Sequence, residues 1–167
     1  MQVQRLTPFL LLLLLLSCSK PRPKETLNPR DRVDSKRVEP IHFLDKTFPV
    51  KKNVLFEFVV PPHSTIPRLH GTFTSFVRRP GEDELSDESA DVDFILMKPE
   101  QYQDFLATNG KGTALYTVDP THDHEVGFLL SPTDAEAQKY YIVFRNSPGG
   151  AALKYVRADF TVGFGYE

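Results

Sequence analysis

The chain has 167 residues and a formal net charge of −2, with 20 lysines and arginines against 22 acids, so it lacks the basic excess of a nucleic-acid-binding protein. It has 1 cysteine, which excludes an intramolecular disulfide and leaves stability to core packing. Its 14 prolines, 13 phenylalanines and 6 tyrosines favour strands and turns over helices.

Residues 1–17 have the anatomy of a secretory signal. Arg5 supplies the positive charge, residues 9–16 form an apolar run of eight, and Ser17 is a small residue at a cleavage point. A membrane-spanning helix needs roughly 20 apolar residues, so this run is too short to span. The segment Leu15-Leu16-Ser17-Cys18 resembles the lipobox of bacterial lipoproteins. The resemblance implies diacylglycerol on Cys18, cleavage before it, and N-acylation of the new terminus with a fatty acid such as palmitate. A single acyl chain holds a protein marginally, whereas two or more hold it stably. The expected location is therefore the bacterial cell envelope, with the membrane as a partner through Cys18. Ser19, where an aspartate would retain the protein, resembles an outer-membrane sorting signal if the cell is Gram-negative. The other reading is an ordinary secretory signal in which Cys18 is a leftover thiol.

Removing residues 1–17 leaves 150 residues and a formal charge of −3. That suits one domain and a tether. Residues 18–39 carry the lipidated cysteine and a segment without apolar periodicity. Within residues 19–39, Lys20, Arg22, Lys24, Arg30, Arg32, Lys36 and Arg37 face four acids, and Pro21, Pro23 and Pro29 interrupt. This composition predicts a disordered tether spanning about 25 Å as a flexible coil. Its bases could attract anionic headgroups or simply solvate a linker.

Residues 40–167 are expected to form the folded domain. Residues 53–60 alternate, with Val54, Phe56, Phe58 and Val60 on one side and Glu57 on the other, the pattern of a half-buried strand. Pro61-Pro62 ends it. Residues 68–79 set Leu69, Phe73 and Val77 against His70, Thr72 and Thr74, with Gly71 marking a bulge or a close approach. Residues 80–90 read as a polar loop. Residues 91–98 form a strand with Val92, Phe94 and Leu96 inward. Pro99 opens a short helix that presents Tyr102, Phe105 and Leu106 on one face and closes at Asn109-Gly110. Residues 112–118, 124–131 and 139–146 are three further strands, and Pro148-Gly149-Gly150 is a turn. The last strand is the clearest, with Val156, Ala158, Phe160, Val162 and Phe164 alternating with polar residues and glycine. Seven or eight such strands and one short helix predict an all-β antiparallel sandwich.

From residue 53 onward the order of features resembles the GOLD-like (Golgi-dynamics) β-sandwich and its bacterial relatives. The matching pieces are Asp91-Val92-Asp93-Phe94-Ile95-Leu96, the helical turn with Tyr102 and Phe105, and Leu115-Tyr116. Residues 140–146 and the closing residues 154–160 complete the match. The resemblance implies an interaction or accessory module with no catalytic residues to carry over.

The best metal candidate is His122-Asp123-His124, because imidazole and carboxylate suit zinc and alternate strand residues share a face. His63, His70 or Glu125 would have to complete it. Residues 82–93, which include Asp87 and Asp91, are the calcium candidate, although their spacing is not that of an EF-hand. The plainer reading of both is a solvated turn and a charged loop, with no cofactor. There is no Gly-x-Ser-x-Gly elbow, His-Glu-x-x-His or phosphate-binding loop. The sequence therefore favours a non-catalytic module that contacts an envelope protein or glycan through tyrosines such as Tyr116, Tyr141 and Tyr155. Their bland alternative is cross-strand packing. A lipoprotein hydrolase or metal-dependent envelope enzyme is the competing class, and convergence of the histidines would favour it.

Overall fold

A computed structural model describes residues 38–81, 83–146 and 151–166. The expected signal, Cys18, nearly all of the expected tether, and the expected turn at 148–150 lie outside these residues. The described chain forms eight strands and one α-helix: β1 (Ile41–Val50), β2 (Asn53–Val60), β3 (Ser64–Phe76), β4 (Val92–Met97), α1 (Pro99–Ala107), β5 (Tyr116–Thr121), β6 (Asp123–Leu129), β7 (Gln138–Asn146) and β8 (Lys154–Tyr166). They make two four-stranded sheets, ordered β1-β8-β3-β6 and β2-β7-β4-β5. Every pairing is antiparallel. The molecule is the β-sandwich that the alternating pattern predicts. Among the described residues no helix is long and apolar enough to cross a membrane.

The core lies where the inward sets of the two sheets meet. Phe94 of β4 stacks on Phe160 of β8 with centroids 5.5 Å apart, on Phe73 of β3 at 5.9 Å, and meets Phe144 of β7 edge-on at 5.5 Å. All four rings are essentially buried. Such offset and edge-to-face pairs add to the gain from area burial. A second, smaller core lies on the outer face of the β2-β7-β4-β5 sheet. There α1 lays Phe105 over Ile95, Met97 and Val143. That layer buries both faces of β4, so all six of its residues are buried rather than Val92, Phe94 and Leu96 alone.

Four local features differ from the sequence reading. β1 is a strand that the pattern did not reveal, because the register slips between His42 and Leu44 and breaks the alternation. The segment 112–115 belongs to the return from α1, and β5 starts only at Tyr116. Leu106 is 52% exposed, since successive helical residues point about 100° apart and Phe105 takes the sheet-facing position. The loop after β3 is partly ordered by a Val77–Leu85 bridge and a 3-10 turn, Glu88–Ala90. At Gly71 the choice resolves as a close approach: its pairing with Val126 and Phe160 is uninterrupted.

The two ends of the sandwich are chemically distinct. β1 and β2 meet at the turn Lys51-Lys52, so Val50, Asn53, Arg145 and Lys154 share one end, hereafter the turn end. Ile41, Val60, Gln138 and Tyr166 lie at the other, where Val38 brings in the chain. A ten-residue strand such as β1 separates the two by about 30 Å.

Candidate functional site

The turn end holds a cavity of about 360 Å³. It exists because the β1–β2 turn, the C-terminal end of α1 and the end of β7 meet there. α1 starts at Pro99, with the Gln101 side-chain oxygen accepting from the Lys98 amide at 2.9 Å. It stops where Asn109 and Gly110 turn left-handed, at φ of 54° and 89°, and the Gly110 amide donates to the Phe105 carbonyl at 2.8 Å. A side chain on Gly110 would approach Arg145 Nη1 to 3.1 Å, so glycine lets the helix end close over the guanidinium.

Arg145 donates through Nε to the Asp93 carboxylate and through Nη1 to the Gly110 carbonyl at 3.0 Å. Asp93 is 5% exposed, so this pair locks the end of β7 to β4 and to the helix terminus. Asn146 then ties the neighbouring segments together. Its Nδ2 lies 3.2–3.4 Å from the carbonyls of Val50, Lys51, Ala151 and Ala152, and its amide donates to Lys52 at 2.8 Å. Phe105 and Leu106 form an apolar wall of the resulting cavity. Lys52 and Arg145 add positive charge, and Asn53 and Asn109 add amides. An apolar wall beside amides and cations suits the hydroxyls, ring C–H groups or carboxylates of a small polar ligand.

The metal candidates do not assemble. His122 lies between β5 and β6, where the chain crosses from one sheet to the other, and its Nδ1 is 3.1 Å from Asp91 Oδ1. His124 packs its ring 6.3 Å from Phe73. His70 faces Glu125 at 3.2 Å, both side chains exposed on the outer face of the other sheet. His63 sits in a turn at φ 57°. Asp87 caps the 3-10 turn, accepting from Ser89 N at 2.9 Å and Ser89 Oγ at 2.6 Å, and these bonds hold its carboxyl below the usual range. Among the described residues no group of three or more His, Cys, Asp or Glu is placed to hold a metal ion.

The tyrosines are equally dispersed. Tyr116 packs between the sheets against Phe128, at 5.3 Å. Tyr141 meets Tyr102 at 5.0 Å beside α1. Tyr155 stacks on Phe76 at 5.7 Å on the opposite outer face, with the Arg78 guanidinium 4.6 Å over its ring. All three are half-buried, and they lie on three different surfaces.

Two buried charges escaped the sequence reading, Asp93 described above and Lys154. Lys154 is fully buried at the turn end, and its Nζ donates to the Asp91 carbonyl. Burial pushes its pKa down from the usual 10.5, against the opposing pull of Asp91 and Asp93. Below the lowered folded value both states are protonated, and folding bears the full cost of burying the charge. Between that value and 10.5 the unfolded chain binds more protons, so stability rises with pH until the cost is gone. Lys154→Met, which lacks this titration, should therefore lose ground relative to the wild type as pH rises toward 10.5. Urea unfolding of both proteins across pH 7–10.5 measures this, and parallel curves would show that Lys154 reaches solvent.

No protein-family model matches the chain, and no curated protein does. Among solved structures, the chain is similar to TmCBM61 in complex with beta-1,4-galactotriose, at 13% identity and a TM-score of 0.39, covering 70% of this chain and 67% of that one. A likeness at that level carries no argument about function.

Proposed function

We propose that the protein is a lipid-anchored binding module of the bacterial cell envelope, held through Cys18 and contacting an envelope protein or glycan through the cavity at its turn end. The observation that carries this reading is the polarity of the fold. The segment behind the lipobox-like residues 15–18 joins the sandwich at Val38, at the end away from Lys52, Leu106 and Arg145. The attachment point and the cavity therefore lie at opposite ends of the domain, which leaves the cavity free to meet a partner. The resemblance to GOLD-like modules points the same way, and so does the separate placement of the histidines, each with its own neighbour.

Two measurements test it. Growth with an alkyne fatty acid should label the wild type, whereas Cys18→Ala should remain unlabelled and unprocessed; normal processing of that variant rules out the lipobox. Titration with envelope glycan fragments should shift the amide signals of Asn53 and Asn109, and Lys52→Glu should weaken binding of carboxylate-bearing fragments about tenfold, roughly 1.4 kcal/mol. Shifts scattered over the surface, or unchanged affinity in Lys52→Glu, would remove the cavity from the proposal.

A further inference from the structure

The end where Val38 enters collects exposed apolar side chains. Of the six large hydrophobic residues that stand exposed among the described residues, Ile41 (44%), Val59 (44%), Ile66 (70%) and Leu129 (57%) belong to it. Ile66 is the most exposed of them and has the least comfortable backbone. Its φ is 48°, in the left-handed region that a β-branched residue rarely adopts, and Pro67 follows it.

This conformation is actively held. The register of β3 on β8 slips between Thr65 and Arg68, which throws Ile66 outward. On one side the Ser64 amide donates to Thr133 Oγ1 at 2.9 Å, and Thr133 N donates to the Ser64 carbonyl at 3.1 Å. On the other the Leu130 amide donates to the Pro67 carbonyl at 2.8 Å. Ser64 and Thr133 are buried. The fold thus spends backbone energy to keep an isoleucine in water beside Leu129, which pairs with Arg68 two residues further on.

We infer that this end rests on the lipid surface, with Ile66 and Leu129 inserted at the boundary between headgroups and acyl chains. The inference rests on the anchoring through Cys18 proposed above. Val38, the first described residue, lies at this same end, and residues 19–37 carry seven bases but only three acids. A tether of that charge is drawn to anionic headgroups. The domain end itself carries both signs, Glu39 and Asp134 with the exposed Arg68, and so fits a zwitterionic surface. Apolar protrusions of this kind bind shallowly, about 5–10 Å into the boundary, and need a second signal to hold. The acyl chains supply that signal.

The chain contains no tryptophan, so Ile66→Trp creates a single reporter, as do Leu129→Trp at the same end and Lys52→Trp at the turn end. Each mature variant is reconstituted in phosphatidylcholine vesicles, and acylation is verified by the mass of the N-terminal peptide. Lipids brominated near the top of the acyl chain should quench the reporters at 66 and 129 strongly, because side chains inserted about 5–10 Å reach that depth. The reporter at 52 should keep its emission. If Ile66→Trp does not fold, Leu129→Trp decides alone. Acylated, vesicle-bound protein with unquenched reporters at 66 and 129 overturns the docking and leaves the anchor intact; a protein partner covering this end in the cell would give that result. An unacylated chain that never reaches the vesicles overturns both, and the peptide mass identifies the anchor as the failure.

Discussion

Phe160→Ala is expected to cost about 3–5 kcal/mol, the usual penalty for truncating a buried phenylalanine. Phe160 is fully buried and central to the ring cluster, within 5.5 Å of Phe94, 6.3 Å of Phe144 and 6.4 Å of Phe43. These neighbours come from three strands, so no single side chain can swing in to fill the void. Domains of this size are stable by only about 5–15 kcal/mol, and no disulfide supports this one. The urea midpoint should fall by about 1–5 M. Thr161 is the control. It points to the outer face, is half-buried, and makes only a 3.4 Å contact from Oγ1 to the His70 carbonyl. Thr161→Ala should stay within about 0.5 kcal/mol of the wild type. Similar small shifts at both positions would mean that the inward face of β8 has been misassigned.

That face was legible because β8 alternates without a break from Val156 to Phe164. The same rule, run two residues further back, puts Lys154 inward, and there the sequence held a signal that composition overrode: a lysine at a strand start is ordinarily taken as solvated. β1 shows the opposite failure. Leu44, Phe48 and Val50 are buried, but Asp45, Lys46 and Thr47 interrupt them, and the slip after His42 shifts the parity. β4 was half legible. Its alternation was read correctly, while burial of Ile95 and Met97 depends on where α1 comes to rest, a tertiary fact. The cavity was illegible for the same reason. Lys52, Leu106, Asn109 and Arg145 come from a turn, a helix, a cap and a strand end, and no period or spacing links them. His122 and His124, two residues apart, were parted by the crossing of the chain from one sheet to the other.

Gly71→Ala carries the second large effect, and here the sign itself is at issue. In a strand, replacing glycine by alanine ordinarily helps by about 0.4–1 kcal/mol, because the unfolded chain loses freedom. The φ of Gly71 is not in the left-handed region, so the backbone raises no objection. Space does. Gly71 sits in the middle of β3, between Val126 of β6 and Phe160 of β8. A Cβ there would stand 2.3 Å from the Asp159 carbonyl oxygen and 2.4 Å from Phe160 Cδ1. The ring could turn, but the carbonyl belongs to a central strand bonded on both sides, so β3 and β8 would have to separate. Overpacking of this kind costs about 1–3 kcal/mol, which outweighs the entropic gain. Removing the ring relieves one of the two clashes. The double variant Gly71→Ala with Phe160→Ala should therefore be less destabilised than the sum of the single variants, by about 0.5–3 kcal/mol. Strict additivity in urea unfolding would mean that the carbonyl alone sets the cost, and a stabilised Gly71→Ala would mean that the two strands do not approach so closely.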